Sequence, residues 1–221
     1  MTIRIHPTAI VESGVEIGEG TSVWDNVHIR GPSQIGRDCI IGEKTYIAYG
    51  VDIADLVKIN AMVYVCAAVT IERGVMISAG TIFTNDRFPR AASNDLSQPR
   101  SSAPDETTLP TRVGEGATIG AGCLIGCGFD IGRFAMVGMG SVVTRAVPAF
   151  HLVVGNPARS VGYVCRCGLP LFRFKGETPN MDDMSCVSCA LLYRAVAGEV
   201  VEVGQAEPAR RSLIETIADG S

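Results

Sequence analysis

One stretch of this 221-residue chain gathers polar groups able to handle a reacting carbonyl or a phosphate: Asn85, Asp86, Arg87 and Arg90, inside a run from 84 to 112 that also holds Pro89, Pro99, Pro104 and Pro110. The Asn85 carboxamide can accept a hydrogen bond from an attacking N–H or donate one to an oxygen on which charge develops, and the two uses need opposite faces of the amide. Arg87 and Arg90 offer planar forks suited to a diphosphate or a carboxylate, although an exposed loop arginine is ordinarily just solvated. The chain has three histidines, His6, His28 and His151. His28 is the one candidate for general-base work; the other two read as structural, since neither sits beside the proline-rich run. A three-histidine metal centre is excluded, because residues 6 and 151 stand near opposite ends of the sequence pattern. Farther on, Cys165 and Cys167 are followed after 18 residues by Cys186 and Cys189. Two close pairs of this kind suit a tetrahedral zinc ribbon, with a structural metal because four thiolates leave no open position. The first pair is spaced by one residue where two is commoner, and Ala190 replaces the usual glycine, so a ribbon without metal is the alternative reading.

What must position these groups is visible in the spacing of apolar residues. Every sixth residue is large and apolar from Ile5 through Val11, Ile17, Val23 and Ile29 to Ile77 and Phe83, and the same phase returns at Val113, Ile119, Ile125, Ile131, Val137 and Val143. Four residues after nearly every one comes something small or β-branched; Phe129 is the exception and reads as packing. A helix of ~3.6 residues per turn would smear a strict period of six around its cylinder, whereas six is three strand repeats of two. The pattern therefore predicts an all-β chain, a parallel β-helix whose coils share one apolar axis that no single coil could bury alone. Residues 84–112 interrupt it, at about twice the length at which an unstructured connection becomes suspicious. The expected organisation is a β-helix over 1–162 with this excursion, a zinc-ribbon-like four-cysteine segment over 163–203 and a loosely ordered tail over 204–221.

Composition agrees. An apolar content of 47% with only 6% aromatics suits a solenoid filled with Ile and Val. A formal charge of -4 without Lys/Arg runs argues against nucleic acid or an anionic membrane as partner, and favours small ligands. The repeat begins almost at the first residue and no 18-residue apolar run follows, so a cytoplasmic protein with free thiols at Cys39, Cys66, Cys123 and Cys127 is expected.

Phe83-Thr84-Asn85-Asp86 followed by Pro89-Arg90 resembles the loop signature of hexapeptide-repeat nucleotide-sugar N-acetyltransferases acting on 3-amino sugars. His6-Pro7-Thr8-Ala9-Ile10-Val11, Val23-Trp24 with Val27-His28-Ile29, and Val154-Gly155-Asn156-Pro157-Ala158-Arg159 extend the resemblance over about residues 5–162. It implies a left-handed triangular prism with 18 residues per coil, a homotrimer with interfacial sites, and transfer of acetyl from acetyl-CoA to a nucleotide-linked amino sugar in polysaccharide or glycoconjugate biosynthesis. It further implies that Asn85 lies beside the thioester sulfur and the sugar amine. The coenzyme would run along Gly120, Ala121, Gly138 and Met139, with Arg145, Asn156, Pro157 and Arg159 near its phosphates. Eighteen-residue steps then put Tyr46, Tyr64 and Ile82 in one file above His28, either a wall of the acceptor pocket or an aromatic ladder covered by a neighbouring subunit. An amine needs little proton machinery, because its free base attacks a thioester unaided, whereas a hydroxyl acceptor would need His28 as base. Ile77-Ser78-Ala79-Gly80 and Ala61-Met62 depart from the family pattern, which keeps a non-catalytic scaffold or sugar-nucleotide-binding module as the rival to an enzyme.

Overall fold

The computed structural model describes residues 2–101, 103–174, 176 and 179–205. Three sheets of ten, seven and six strands form the sides of a tube, and a separate three-stranded antiparallel sheet follows at the C-terminal end. Along the first side Arg4, Ser22, Ile40, Lys58 and Met76 are successive Cα partners, so each coil takes 18 residues. No helix occurs among the described residues. The sixth-residue Ile and Val side chains point inward: Ile29, Ile41, Ile47, Ile59, Ile71 and Ile77 are fully buried, each contributing about 1.5–3 kcal/mol relative to exposure. The small slots also face inward at the corners. Two of those that carry a hydroxyl donate to a corner carbonyl 15 residues on: Thr21 to Gly36 at 2.8 Å and Thr45 to Asn60 at 3.0 Å. Small size is thus needed for the corner and polarity for its orphan carbonyl.

The first coil departs from the pattern. Ile5 is 44% exposed, because the inward position of a terminal rung has no rung beneath it. The excursion leaves after Ile82–Phe83 and returns at Thr111–Val113, which pairs with Val69–Ile71, so the insertion costs the stack no register.

At the other end the expected boundary after residue 162 falls inside a strand. His151–Gly155 pairs parallel with Met136–Val137, and the chain then reverses through Ala158–Val164 and Pro170–Arg173, continuing the same sheet antiparallel. The hexad period stops at the last coil, but the sheet does not. Phe134 and Phe150 stack at 5.4 Å, and Phe150, Tyr163 and Tyr193 join one buried cluster, so the C-terminal sheet packs on the tube end. Glu199–Gln205 is its last strand, and the tail expected from residue 204 otherwise lies outside the described residues.

Candidate active site

The excursion opens at the corner between the second and third sides. Its neck is zipped by Leu109 N–H donating to the Asn85 carbonyl at 2.8 Å and by a bridge between Asp86 and Thr108. These contacts hold Asn85 half-buried above Ala67, and its Nδ2 donates to the Ala67 carbonyl at 3.4 Å. Turning the amide over would set two acceptors face to face, so Oδ1 and the second N–H of Nδ2 remain for a ligand.

Asn85, Asp86 and Arg90 line one cavity of about 310 Å³ together with Tyr49, Arg100 and Asp105. Tyr49, Arg100 and Asp105 were not singled out by the sequence reading; Tyr49 lies two 18-residue steps before Asn85, a signal the file arithmetic could have caught. Among the described residues Arg90 has no ion pair and donates to its own loop at the Pro89 carbonyl, 3.0 Å away. Asp105 is held below the usual carboxylate range, chiefly by the Thr107 hydroxyl and N–H, with Arg100 adding to it. Asp86 accepts from Phe88 N–H at 2.8 Å. Arg87 diverges from Arg90: it borders a neighbouring cavity of about 400 Å³ with Asp86, Cys127 and Phe129. Beneath the site, burial pushes the Cys66 thiol up to about 12, which makes it an inert filler.

His28, Tyr46, Tyr64 and Ile82 do form one file on the outer face of the second side. His28 meets Tyr46 edge-on at 5.4 Å, and Tyr46 stacks on Tyr64 at 5.2 Å and 5°. Tyr46 and Tyr64 are therefore neighbours of the site but do not line the Asn85 cavity, where Tyr49 stands instead; the file runs on the flat face and the cavity opens at the corner. His28 is three rungs below the rung of Asn85, roughly 14 Å at ~4.8 Å per rung. Its Nε2 lies 2.8 Å from Glu12, whose carboxylate also takes Arg30 Nε; the His28 bond, then Arg30, holds Glu12 below its ordinary pKa against the small cost of burial. Arg30 in turn donates to the Tyr46 hydroxyl at 3.2 Å.

In the last coils Gly120 and Gly138 occupy stacked corners. A Cβ on Gly120 would sit 2.5 Å from the backbone Met139 N, so that position is glycine for packing, whereas one on Gly138 would meet a Val154 methyl at 2.6 Å, a side-chain atom. Ala121 accepts from Gly140 N–H at 2.8 Å, and Met139 projects into solvent, 83% exposed. Ser141 links this edge to the next turn by donating to Gly138 at 2.6 Å and accepting from Gly155 N–H at 3.2 Å. Asn156 and Pro157 form that exposed turn. Beside it Arg145 and Arg159 line a cavity of about 340 Å³ with Pro148 and Ser160, so two arginines chosen from distant sequence positions converge.

Cys165, Cys167, Cys186 and Cys189 also converge, all four sulfurs lying within 4.8 Å of one another, with Sγ···Sγ distances of 3.4 Å for 165–189 and 3.6 Å for 167–186. Tetrahedral zinc with Zn–S of about 2.3 Å separates sulfurs by about 3.8 Å, so the cluster has the size of such a site. Burial acts against ionisation of Cys186, yet the N–H groups of Cys189 and Ser188 and the neighbouring thiols outweigh it and bring its pKa down to about 7.

The comparisons with known proteins share one feature, the hexapeptide repeat. A family profile described as bacterial transferase hexapeptide (six repeats) matches residues 14–49, and one described as hexapeptide repeat of succinyl-transferase matches 32–67 and 110–145, the two arms on either side of the excursion. Hexapeptide repeats thus occupy residues 14–67 and 110–145. This hexapeptide-repeat chain is 41% identical over 93 residues, covering 42% of itself and 45% of the relative, to a dTDP-3-amino-3,6-dideoxy-alpha-D-galactopyranose 3-N-acetyltransferase of Aneurinibacillus thermoaerophilus. It is 27% identical over 162 residues, covering 73% of itself and 30% of the relative, to serine acetyltransferase 4 of Arabidopsis thaliana. The chain thus spans less than half the length of these curated relatives. Among solved structures, a mutant of AntD, an N-acyltransferase from Bacillus cereus in complex with dTDP and coenzyme A, shares the fold with a TM-score of 0.57 at 19% identity, over 72% of this chain and 91% of that one. No described helix of the hexapeptide-repeat chain is long and apolar enough to cross a membrane.

Proposed function

We propose that the chain is an acyltransferase that moves the acetyl group of acetyl-CoA to the amino group of a nucleotide-linked amino sugar, a 3-amino sugar in the first instance. The observation that carries this reading is the Asn85 carboxamide, anchored through one N–H of Nδ2 at the edge of a cavity that also holds Arg90, an arginine without an ion pair among the described residues. In the ternary complex Oδ1 accepts a hydrogen bond from the neutral sugar amine and aims its lone pair at the thioester carbonyl. The amine nitrogen attacks the thioester carbonyl, the C–S bond breaks, and the proton lost by nitrogen passes through water to the leaving thiolate, giving the amide and the free thiol of coenzyme A. Arg90 and Arg100 hold the diphosphate, with Asp86 at the sugar. The 41% identity to a dTDP-3-amino-sugar 3-N-acetyltransferase supports this acceptor. The coenzyme lies along the Gly120–Ala121 and Gly138–Met139 corners, with its phosphates at Arg145 and Arg159 and the Asn156-Pro157 turn alongside. The assembly is a homotrimer that covers the second side, whose outer face leaves Tyr64 44%, Ile82 42% and Leu124 43% exposed in one chain. The four cysteines hold one structural zinc.

The test is thiol release from acetyl-CoA on addition of uridine- and thymidine-linked 3-amino and 4-amino sugars. Release with a 3-amino sugar is the expected result; binding of acceptor and coenzyme without release would make the chain a binding module. One observation favours O-acetylation as a second reading: the carboxylate-oriented imidazole of the His28–Glu12 pair. A hydroxyl acceptor that releases thiol, with turnover abolished in His28→Asn, would establish it.

A further inference from the structure

His151 connects the arginine cavity to the C-terminal sheet. It is 3% exposed, with Nδ1 2.8 Å from Ser160 Oγ and Nε2 2.8 Å from the Gly198 carbonyl oxygen. A carbonyl oxygen only accepts, so Nε2 carries the ring proton. The ring is neutral: burial lowers its pKa, Tyr163 and Phe174 face it edge-on at 5.1 and 6.3 Å, and no carboxylate among the described residues pairs with it. Nδ1 is therefore an acceptor, and the Ser160 hydroxyl has to donate to it. Ser160 lines the cavity that Arg145 and Arg159 share. Its proton is committed inward, which leaves only lone pairs for a ligand.

We propose that His151 is a positioning residue that fixes Ser160 as a hydrogen-bond acceptor in this cavity, so that Ser160 recognises a donor on the coenzyme's adenosine, a ribose hydroxyl or the adenine amino group, beside the phosphates held by the arginines. This rests on the assignment of the cavity to coenzyme in the proposed function. Because Gly198 belongs to the turn before Glu199–Gln205, the appended sheet sets the tautomer on which Ser160 depends.

The experiment measures binding of coenzyme A and of S-acetylpantetheine, which lacks the adenosine phosphates, to the full chain and to Ser160→Ala, His151→Asn and Arg159→Ala. Ser160→Ala should weaken coenzyme A roughly three- to tenfold, the worth of one hydrogen bond, and leave S-acetylpantetheine unchanged. His151→Asn, whose carboxamide oxygen replaces the Nδ1 acceptor, should recover most coenzyme affinity. A 2′-deoxyribose analogue and a hypoxanthine analogue of the coenzyme distinguish the two donors: whichever removes the recognised group should bind the wild type and Ser160→Ala equally. Loss of coenzyme binding in Arg159→Ala but not Ser160→Ala would overturn the inference and leave the coenzyme site standing. No coenzyme binding by the wild type would overturn both. Nitrogen-15 NMR of the His151 ring gives an independent reading: a neutral Nε2–H tautomer is expected, and an Nδ1–H tautomer or a protonated ring at neutral pH would overturn the inference alone.

Discussion

Asn85 Nδ2 donates to the carbonyl of Ala67, its partner one rung below in the same corner, at 3.4 Å. The tube thereby orients the amide, and the excursion supplies the cavity that Asn85 lines. Asn85→Ala should lower kcat/KM on the order of a hundredfold, the scale of removing one preorganised hydrogen-bonding group. Thermal stability should fall by no more than about 1 kcal/mol, because a single half-buried hydrogen bond is lost. Asn85→Asp should not rescue turnover, since a carboxylate sets an acceptor against the Ala67 carbonyl. Unchanged kinetics in Asn85→Ala would remove this residue from the mechanism.

The distance between His28 and Asn85 separates the two acyl-transfer chemistries. With three rungs between them and Nε2 taken by Glu12, His28 supports the outer aromatic file in this chain. His28→Asn should retain turnover on the amino sugar within about threefold, and loss of the half-buried His28–Glu12 pair should lower the melting temperature only slightly. A drop of about a hundredfold in kcat, with loss of the acid limb of its pH profile, would instead make His28 the base.

The tube was legible because six-residue spacing admits few folds, and the His28–Tyr46–Tyr64 file followed once the coil length was 18. The convergence of the four cysteines was likewise readable from two close pairs. The Asn85 cavity was only half legible. Its polar opening, Asn85 to Arg90, stands in a run without period, and nothing local shows that Arg100 and Asp105 fold back beside it or that Arg87 turns away toward Cys127. Tyr49 was overlooked because it sits at a corner, three residues from the more conspicuous Tyr46. The buried role of His151 was hidden for a related reason: its partners, Ser160 and Gly198, lie across antiparallel strands that carry no hexad signal.

Gly120 separates packing from chemistry among the coenzyme-side residues. A Cβ there meets Met139 N at 2.5 Å and Met139 Cα at 2.8 Å, backbone atoms of the next rung that cannot step aside without parting the stack. Gly120→Ala should destabilise the chain by about 1–3 kcal/mol, read as a lowered urea midpoint with unchanged slope. A variant of wild-type stability would mean that the corner has slack the present spacing does not show.

Zinc should be present at one ion per chain in protein purified without chelator, measured by elemental analysis. Removing it with a strong chelator should lower the melting temperature and expose the cluster of Phe150, Tyr163 and Tyr193, because ligand binding to the folded state alone adds to stability and its removal subtracts. Cys186→Ser should reproduce the loss and abolish the chelator effect. A metal-free chain with the same melting temperature would identify the four sulfurs as a thiol cluster without an ion.

His151 also gives stability a defined pH dependence. Burial lowers its pKa in the folded state, so between that value and the unfolded value of about 6.5 the unfolded chain binds more protons than the folded one. Stability therefore rises with pH through this window, is complete above about 6.5, and is lost as the medium becomes more acidic. The groups around the ring are Tyr163, Phe174, the Ser160 hydroxyl and the Gly198 carbonyl, none of which supplies an anion to offset a ring charge. Protonation would also place an N–H where Ser160 now donates. Melting temperatures recorded across the mildly alkaline to mildly acidic range should fall below about pH 6.5 in the wild type and fall less in His151→Asn, whose side chain does not titrate. Parallel curves for the two proteins would assign the acid sensitivity to carboxylates such as Glu12, whose pairing with His28 and Arg30 is lost once the carboxylate is protonated.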